Sequence, residues 1–401
     1  MLYNIVMILG FKTELKLNNC QRTLLKKHAG VARHAYNWGL WFTKNLLNHN
    51  KANPEERVRF PSAIDLHKLL VASVKPQNPW YYEVSKCAPQ YALRALRVAW
   101  DKCFKKITGV PRFKKKGQND SFTLDGTTKI VGDSKIKVSR IGILKTYEHL
   151  PVEVKPKSVT ISRQSDKWFI SFYIEVEPQR TEKTNLSIGV DLGIKSLAVL
   201  SNGQVFETPK EYKQTKAKIA KLQYLNRKKE KCSSNWKKFT ARLASLYYRV
   251  ASIRKDTLHK LTTYLAKNFK IVCIESLNVK GMMANHKLAG AVGDMGFYEF
   301  KRQLEYKCKL YGSELIAISQ WEPSSKVHHK CGWKNEKLTL KDRVFYCPCC
   351  DESIDRDLNA ALNIERFGLS LSSLRFVDGE VPTPPVEADN NQFVQTGISV
   401  L

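Results

Sequence analysis

Four metal-binding side chains at the spacing of a zinc ribbon constrain the fold of this chain more than any other feature. Two residues separate His328 from Cys331, fifteen separate Cys331 from Cys347, and two separate Cys347 from Cys350. In a zinc ribbon each such pair lies on one turn, and the two turns share one tetrahedral zinc ion. The sequence therefore predicts a module at 323–354 that binds one Zn²⁺.

The other histidines and cysteines leave two questions. His329 is adjacent to His328 and could be the ligand instead, although the two-residue gap to Cys331 favours His328. Cys349 is the odd thiol of the cluster, and we expect it to point away from the metal. The cysteines that are scattered singly among predicted helices are Cys20, Cys87, Cys103, Cys232 and Cys308. Such scattering, without a secretory signal, indicates a reducing compartment rather than a disulfide framework.

The chain carries a strong excess of positive charge. Its 401 residues include 67 Lys and Arg against 37 Asp and Glu, a formal net charge of +30. An imbalance of this size favours a polyanionic partner. We expect nucleic acid rather than a membrane, because no apolar run is long enough to span a bilayer. The apolar opening 1–10 lacks the charged start and cleavage site of a signal peptide, and Met7 could equally be the start.

The hydrophobic periodicity changes along the chain. An alternating strand at 11–16 is followed by helical spacing to about Lys116, and then by a period of two from Ser121 to Glu177. A helical insert inside a small β domain is the simplest interpretation. Strands are then predicted within 187–206 and at 270–275, with two long basic helices, roughly 210–231 and 235–269, between them.

Three acids lie where secondary-structure elements begin or end. Asp191 ends a buried strand in Ile188-Gly-Val-Asp191-Leu-Gly193, whose glycines allow a sharp turn and close approach of a ligand. Glu275 ends a second apolar strand, where an unpaired carboxylate needs a cation, a metal or solvent. Asp357 opens a C-terminal amphipathic helix. Taken singly, these acids are also typical of turns and helix caps.

Basic and aromatic side chains are clustered on two segments. Lys114, Lys115 and Lys116 end a basic run that contains Phe113, which could stack on a base. A second group is predicted on one helix and would contact phosphates: Lys213, Lys216, Lys218, Lys221, Arg227, Lys228, Lys229 and Lys231. Trp38, Trp41 and Phe42 are interpreted as helical core rather than as stacking partners for bases.

Together these motifs resemble the TnpB (OrfB) proteins of insertion sequences, the ancestors of the type V CRISPR effectors. The resemblance covers most of the chain, and its most specific segments are 188–193, 274–278, Pro323-Ser-Ser325, the cysteine pair and Arg356-Asp-Leu-Asn-Ala-Ala361. It implies an α/β multidomain protein with a ribonuclease-H-like (RuvC) nuclease core. Asp191, Glu275 and Asp357 would be its catalytic acids and would hold two Mg²⁺ ions; Asp355 is the fallback for the third acid.

The resemblance also implies a domain order. A small β-barrel wedge domain would occupy 1–19 and 117–185 and carry a helical recognition domain at 20–116. The nuclease domain would occupy 186–322 and 355–370, interrupted by the zinc ribbon at 323–354. The four acids, single Arg and three prolines of 371–401 are typical of a disordered tail.

As a family member, the chain would be a transposon-encoded endonuclease of the bacterial cytoplasm, associated with the nucleoid. A guide RNA from the transposon end would select a double-stranded DNA target, next to a short motif that the protein recognises. The alternatives are a guided repressor without cleavage and a strand-transferring transposase. Two positions depart from the family pattern: His328 replaces a cysteine, and Asp351 replaces a glycine. We expect the ribbon to persist with altered affinity or geometry.

Overall fold

The computed structural model describes residues 6–126, 128–286, 289–339 and 341–377, with side chains up to Leu371. The chain divides into two compact units, an N-terminal unit (Ile8–Val176) and a C-terminal unit that starts at Glu177. Each unit has its own mixture of helices and sheet. Among the described residues, no helix has the combination of length and apolarity needed to span a bilayer.

The N-terminal unit packs helices against an antiparallel sheet. Its elements are β1 (Met7–Lys16), α1 (Asn19–Ala52), α2 (Ala63–Leu69), α3 (Cys87–Phe104), β2 (Ser121–Asp125), β3 (Lys129–Gly132), β4 (Lys135–Val138), β5 (Gly142–Thr146), β6 (Ser158–Gln164) and β7 (Lys167–Val176). A π turn (Leu70–Val74) and a 3₁₀ turn (Pro79–Glu83) lie between α2 and α3. In the described part, the seven strands have the order β2-β6-β7-β1-β5-β4-β3.

Helix α1 shows why it begins where it does and which face it buries. Its first turn is closed by a capping box, in which Asn18 Oδ1 accepts from Gln21 N at 2.8 Å and Gln21 Oε1 accepts from Asn18 N at 3.1 Å.

Helix α3 packs against α1 at Gly39, where a Cβ would lie 2.8 Å from Leu93. Trp41, two residues further on, lies about 200° around the helix from Gly39. It is 55% exposed, so its interpretation as core was wrong.

The C-terminal unit is built on a mixed sheet. Its elements are β8 (Asn185–Asp191), β9 (Ala198–Leu200), β10 (Val205–Phe206), α4 (Lys210–Leu225), α5 (Ser234–Asn268), β11 (Phe269–Glu275), α6 (Val279–Ala284), α7 (Ala289–Met295), α8 (Phe297–Tyr311), β12 (Glu314–Ile318), β13 (Val344–Cys347), β14 (Glu352–Asp355) and α9 (Arg356–Val377). The order of the five strands described is β10-β9-β8-β11-β12. Strands β8, β11 and β12 are parallel, whereas β9 and β10 are antiparallel to their neighbours.

Helices cover both faces of this sheet. One apolar cluster joins β8 and β11 to α5 and α8 through side chains such as Val272, Leu261 and Phe300. The second joins β11 and β12 to α9, with Cys273, Ile316 and Ile364 at its centre. Burial on both faces explains why the central strands are continuous apolar runs.

The basic helix α4 is shorter than the sequence predicts. It ends at Leu225, where Asn226 Nδ2 donates to the Leu222 carbonyl at 2.7 Å. Arg227, Lys228 and Lys229 therefore lie in the turn before α5 and not on the helix. Helices α4 and α5 are both present, as predicted, and pack together with Ile219 and Val250 in their apolar seam.

The final helix also differs from the expectation. Helix α9 continues to Val377, beyond Leu371, where the tail was predicted to start. The rest of the predicted tail, 378–401, lies outside the described residues.

Helix α9 crosses β8 at Gly189. A Cβ on Gly189 would clash with the Ala361 carbonyl oxygen and lie 2.8 Å from Glu365 N. The glycine before Asp191 was expected to admit a ligand; in the structure it admits a helix backbone. Ser187, one step earlier on the same face, donates a hydrogen bond to the Glu365 carboxylate.

Gly189→Ala should therefore destabilise the C-terminal unit by about 1–3 kcal/mol, because neither backbone can move without separating α9 from β8. Gly290→Ala is the matched control, since a Cβ there meets no atom within 4 Å. Urea unfolding of both variants measures the difference. Equal stability of the two variants would show that the helix adjusts freely at this crossing.

Candidate functional site

Two of the predicted acids leave the mixed sheet side by side. Strands β8 and β11 are parallel, and Val190 pairs with Ile274. Asp191 and Glu275 are the next residue of each strand, so both carboxylates stand at the carboxyl edge of the sheet. Both side chains are half-buried. The carboxyl edge of a sheet with parallel central strands is a common place for a ligand site.

The direction of α9 brings Asp357 towards the same edge. The helix runs antiparallel to β8, since Glu365 lies beside Ser187 and Ala361 lies over Gly189. Two further residues along the strand, about 6.6 Å, lead to Asp191. One helical turn back from Ala361, about 6 Å, leads to Asp357 on the same helix face. The strand acid and the helix acid therefore come together.

The electrostatics of Asp191 reflect this proximity. Burial, followed by the negative charges of Asp357 and Glu275, raises the pKa of Asp191 to about 7. Burial also raises the pKa of Glu275. Carboxylates that disfavour one another's ionisation form a set that a cation would stabilise in the ionised form. The donors are oxygens only, which fits a hard cation such as Mg²⁺.

Asp355 and Asp357 have different roles. Asp355 Oδ1 accepts from the backbone N–H of Asp357 at 2.9 Å and of Leu358 at 3.0 Å, which makes it the cap of α9. Asp357 instead accepts from Arg356, whose Nη2 lies 3.0 Å from Oδ1. Sequence reasoning missed Arg356, although its position next to the acid was a signal. Its guanidinium charge offsets part of the repulsion among the acids.

The predicted zinc ligands are also brought together. One ligand atom from each of His328, Cys331, Cys347 and Cys350 lies within 4.8 Å of all the others. His328 Nδ1 is 3.3 Å and Cys347 Sγ is 3.5 Å from Cys331 Sγ. Ligands around tetrahedral zinc lie roughly 3.5 to 3.8 Å apart, so the cluster has nearly the right size. Cys349 is outside this cluster and exposed.

The thiols of the cluster are electrostatically coupled. A hydrogen bond from the Trp333 backbone, reinforced by His328, lowers the pKa of Cys331 to about 6. The pKa of Cys350 is raised to about 12, first by a hydrogen bond with Cys331 and then by burial. The Cys331 thiolate thus forms readily while the Cys350 thiol holds its proton, which is the behaviour expected where a cation can replace that proton.

The environment of His328 suits a metal ligand. The ring is fully buried and stacks on Phe345, with the ring centroids 5.8 Å apart. Nε2 has no hydrogen bond, but it faces Glu352 Oε2 at 3.7 Å. Lys330 Nζ holds that carboxylate with two contacts of 2.7 Å. A carboxylate behind a ligating histidine orients the ring, a role for Glu352 that its sequence position did not reveal.

Two buried asparagines tie the metal cluster to the helix that carries Asp357. Asn359 Nδ2 donates to the Val327 carbonyl at 2.8 Å, and Asn363 Nδ2 donates to the Ser324 carbonyl at 2.8 Å. Asn359 Oδ1 also accepts from His329 N at 3.0 Å, so His329 faces the helix. Fully buried amides on an apolar helix face require partners, and this was the signal that sequence reasoning overlooked.

The predicted nucleic-acid-binding residues lie on the surfaces of both units. In the N-terminal unit Lys115 and Lys116 are exposed, whereas Lys114 Nζ lies over the Tyr36 ring at 4.3 Å and burial lowers its pKa. In the C-terminal unit Lys221 is exposed on α4. The exposed basic residues of the turn before α5 are Arg227, Lys228 and Lys229. The Arg227 guanidinium stacks on Tyr224 at 3.8 Å, which holds it in place.

Three family models match different parts of the chain. The OrfB_IS605 model, described as "Probable transposase", matches 149–286. The model "Cas12f1-like, TNB domain" matches 297–364, and "Helix-turn-helix domain" matches 7–52. Among solved structures, Cas12f1 in a complex with sgRNA and target DNA has a similar fold, with a TM-score of 0.53 at 14% identity over 90% of this chain and 98% of that one.

Curated relatives match most of the chain. A Streptomyces pristinaespiralis protein named "Putative RNA-guided DNA endonuclease" is 36% identical over 73% of this chain and 73% of its own length. "Putative RNA-guided DNA endonuclease InsQ" of Escherichia coli is 30% identical over 90% of this chain and 92% of its own length. The OrfB_IS605 match spans Asp191 and Glu275, and the TNB-domain match spans Asp357. The chain belongs to the TnpB family.

Proposed function

We propose that this chain is an RNA-guided DNA endonuclease of an insertion sequence. The observation that carries the proposal is the convergence of Asp191, Glu275 and Asp357 at one edge of a sheet in a chain with a net charge of +30. The names of its relatives support guidance by RNA. The same names support DNA as the target.

The guide would be transcribed from the transposon end and would select double-stranded DNA by base pairing, beside a short motif read by the protein. The site of action would be the DNA of the bacterial cytoplasm. A guided repressor would need a defective acid set, and all three acids are present. Nothing in the acid set or the ribbon favours strand transfer over cleavage.

In the catalytic domain, which we assign to the ribonuclease-H-like class from its strand order, each acid has a definable task. Asp191 and Glu275 are fixed by the parallel strands that end in them, and Asp357 is fixed by α9. Their oxygens would hold Mg²⁺, two ions in this proposal. When bound, Mg²⁺ supplies an activated water and stabilises the leaving oxygen of the phosphodiester. Arg356 orients Asp357, because its guanidinium donates to the carboxylate.

A structural Zn²⁺ is the second metal of the proposal. His328, Cys331, Cys347 and Cys350 would hold one ion, with a nitrogen and three sulfurs as ligands. The ribbon would then fix the Val327 and Ser324 carbonyls that receive Asn359 and Asn363. In this way the ribbon positions the start of α9 without taking part in the chemistry.

The direct test of the function is to express the gene with its flanking DNA, purify the protein and sequence the RNA that co-purifies. We expect one defined RNA from the element's end, and magnesium-dependent cutting of a DNA that matches it. Random cellular RNA only, with no guided cutting, would contradict the proposal.

Asp357→Ala should reduce guided cleavage by about a thousandfold or more, ~4 kcal/mol of barrier, because a metal carboxylate is lost. Asp191→Ala should do the same while RNA and target binding stay nearly intact. The matched control is Asp355→Ala, which removes only the helix cap and costs about 1 kcal/mol of stability. Cleavage assays at equal zinc content compare the variants. An inactive Asp355→Ala protein beside an active Asp357→Ala protein would reverse the assignment.

Metal analysis of the folded protein should find one zinc per chain. Cys347→Ser should lower the zinc affinity strongly, whereas Cys349→Ser should leave it nearly unchanged, because the Cys349 thiol lies outside the cluster. Competition with a graded series of chelators measures both. Equal loss of zinc in the two variants would mean that the wrong thiol is assigned.

A further inference from the structure

The N-terminal unit contains an open cavity beside α1 that the proposed nuclease activity does not use. Its volume is about 790 Å³, within the range of small-molecule sites. The side chains that decide its chemistry are Lys27, Arg33, His34, Trp38, Trp41 and Trp80. It is therefore an aromatic cavity with charged side chains on its rim.

Two tryptophans offer flat surfaces to this cavity. Trp41 is 55% exposed, and no ring in the described part of the chain stacks on it. Trp80 is 37% exposed; Tyr81 stacks beside it at 4.5 Å and His34 meets it edge-on at 5.0 Å. Large exposed aromatic surface around one cavity is unusual unless a ligand covers it. A flat π system is the ligand shape that fits an open indole face.

The basic run that ends in Lys114, Lys115 and Lys116 is hydrogen-bonded to a residue that lines this cavity. Asn37, which lines the cavity, clamps the backbone of Lys114: its Nδ2 donates to the Lys114 carbonyl at 2.9 Å, and its Oδ1 accepts from Lys114 N at 2.8 Å. Lys115 and Lys116, which follow, are exposed. A second opening on α1 is lined by Lys44 and Arg112.

The charges around the cavity favour an anion next to the aromatic surface. Two cations of the rim form ion pairs, Lys27 with Glu83 at 2.5 Å and Arg33 with Asp120 at 2.9 Å. The charges within each pair cancel, so the excess positive charge comes from the neighbouring basic run. An aromatic surface flanked by positive charge is the combination that binds single-stranded nucleic acid, where bases stack and phosphates meet cations.

We propose that this cavity binds an unpaired nucleotide, whose base stacks on Trp41 and whose flanking phosphates contact the run that ends in Lys115 and Lys116. A base inside a duplex cannot do this, because its neighbours cover both of its faces. The inference rests on the proposed function only in taking the ligand from the nucleic acids that the chain binds. RNA and DNA share the required chemistry, so the test includes both.

The experiment compares full-length Trp41→Ala, Trp41→Phe and Trp321→Ala proteins. Trp321 is the matched control, an 84% exposed tryptophan of the C-terminal unit. Fluorescence anisotropy measures the binding of a labelled 12-nucleotide RNA, of the DNA of the same sequence, and of the corresponding duplex. Trp41→Ala should weaken binding of at least one single strand by about tenfold. Trp41→Phe should restore most of the affinity, and Trp321→Ala should bind as the unmodified protein does.

Comparison of the RNA, the DNA and the duplex distinguishes the possible outcomes. A larger loss for RNA than for DNA would identify RNA as the source of the nucleotide, and the reverse would identify DNA. Unchanged affinity for both strands, or an equal loss for the duplex, would overturn the proposal. A bromouridine strand that crosslinks to the peptide containing Trp41 would support it independently. Because these strands need no guide and no cleavage, the result stands or falls separately from the proposed nuclease function.

Discussion

The close contact between α9 and β8 is the constraint on which the rest of the C-terminal unit depends. It is possible only because Gly189 lacks a side chain where the Ala361 carbonyl passes. From that contact the antiparallel direction of the helix leads Asp357 to the strand end at Asp191. A second glycine acts in the same way, since a Cβ on Gly368 would clash with Cys273 of β11. The two glycines thus let one helix cross two strands and carry an acid to their common edge.

Bringing three carboxylates together is electrostatically unfavourable without a cation. The raised pKa of Asp191, about 7, expresses that cost, which begins with burial and grows with the charges of Asp357 and Glu275. Arg356 offsets only part of it. The same site must also accept a polyanion, whose phosphates would be repelled by bare carboxylates. The metal ions that we propose at the acids, together with the basic residues of the chain, would solve both problems, which is why an acidic centre and a net charge of +30 are compatible in one chain.

Much of this architecture could be predicted from the sequence because it depends on local patterns. Apolar runs predict strands β8 and β11, and the spacing of His328 and the cysteines predicts which ligands approach one another. What the sequence could not provide depends on tertiary geometry. Trp41 is a large apolar residue of the kind that usually lies in a core. It is exposed here because α3 packs against α1 at Gly39, on the other side of the helix. Helix α4 ends at Leu225, where Asn226 is the C-cap, although the basic residues continue to Lys231. The partners of Asn359 and Asn363 come from a loop more than thirty residues earlier.

His328 and Asp351 are the two positions expected to depart from the family pattern, and the structure gives each of them a fitting environment. Asp351 has a φ of +49°, a backbone conformation that glycine adopts easily, and asparagine and aspartate adopt it better than most residues. Its carboxylate accepts from the Tyr346 hydroxyl at 3.0 Å, which helps to hold the turn. His328 occupies a fully buried position against Phe345, with Glu352 behind the ring. Each residue thus fits the backbone of the ribbon in this chain, and that backbone presents the Val327 and Ser324 carbonyls to α9. Because Asn359 and Asn363 of α9 bind backbone carbonyls of the ribbon, and not the side chains of the proposed zinc ligands, that ligand set can change while the position of Asp357 is retained.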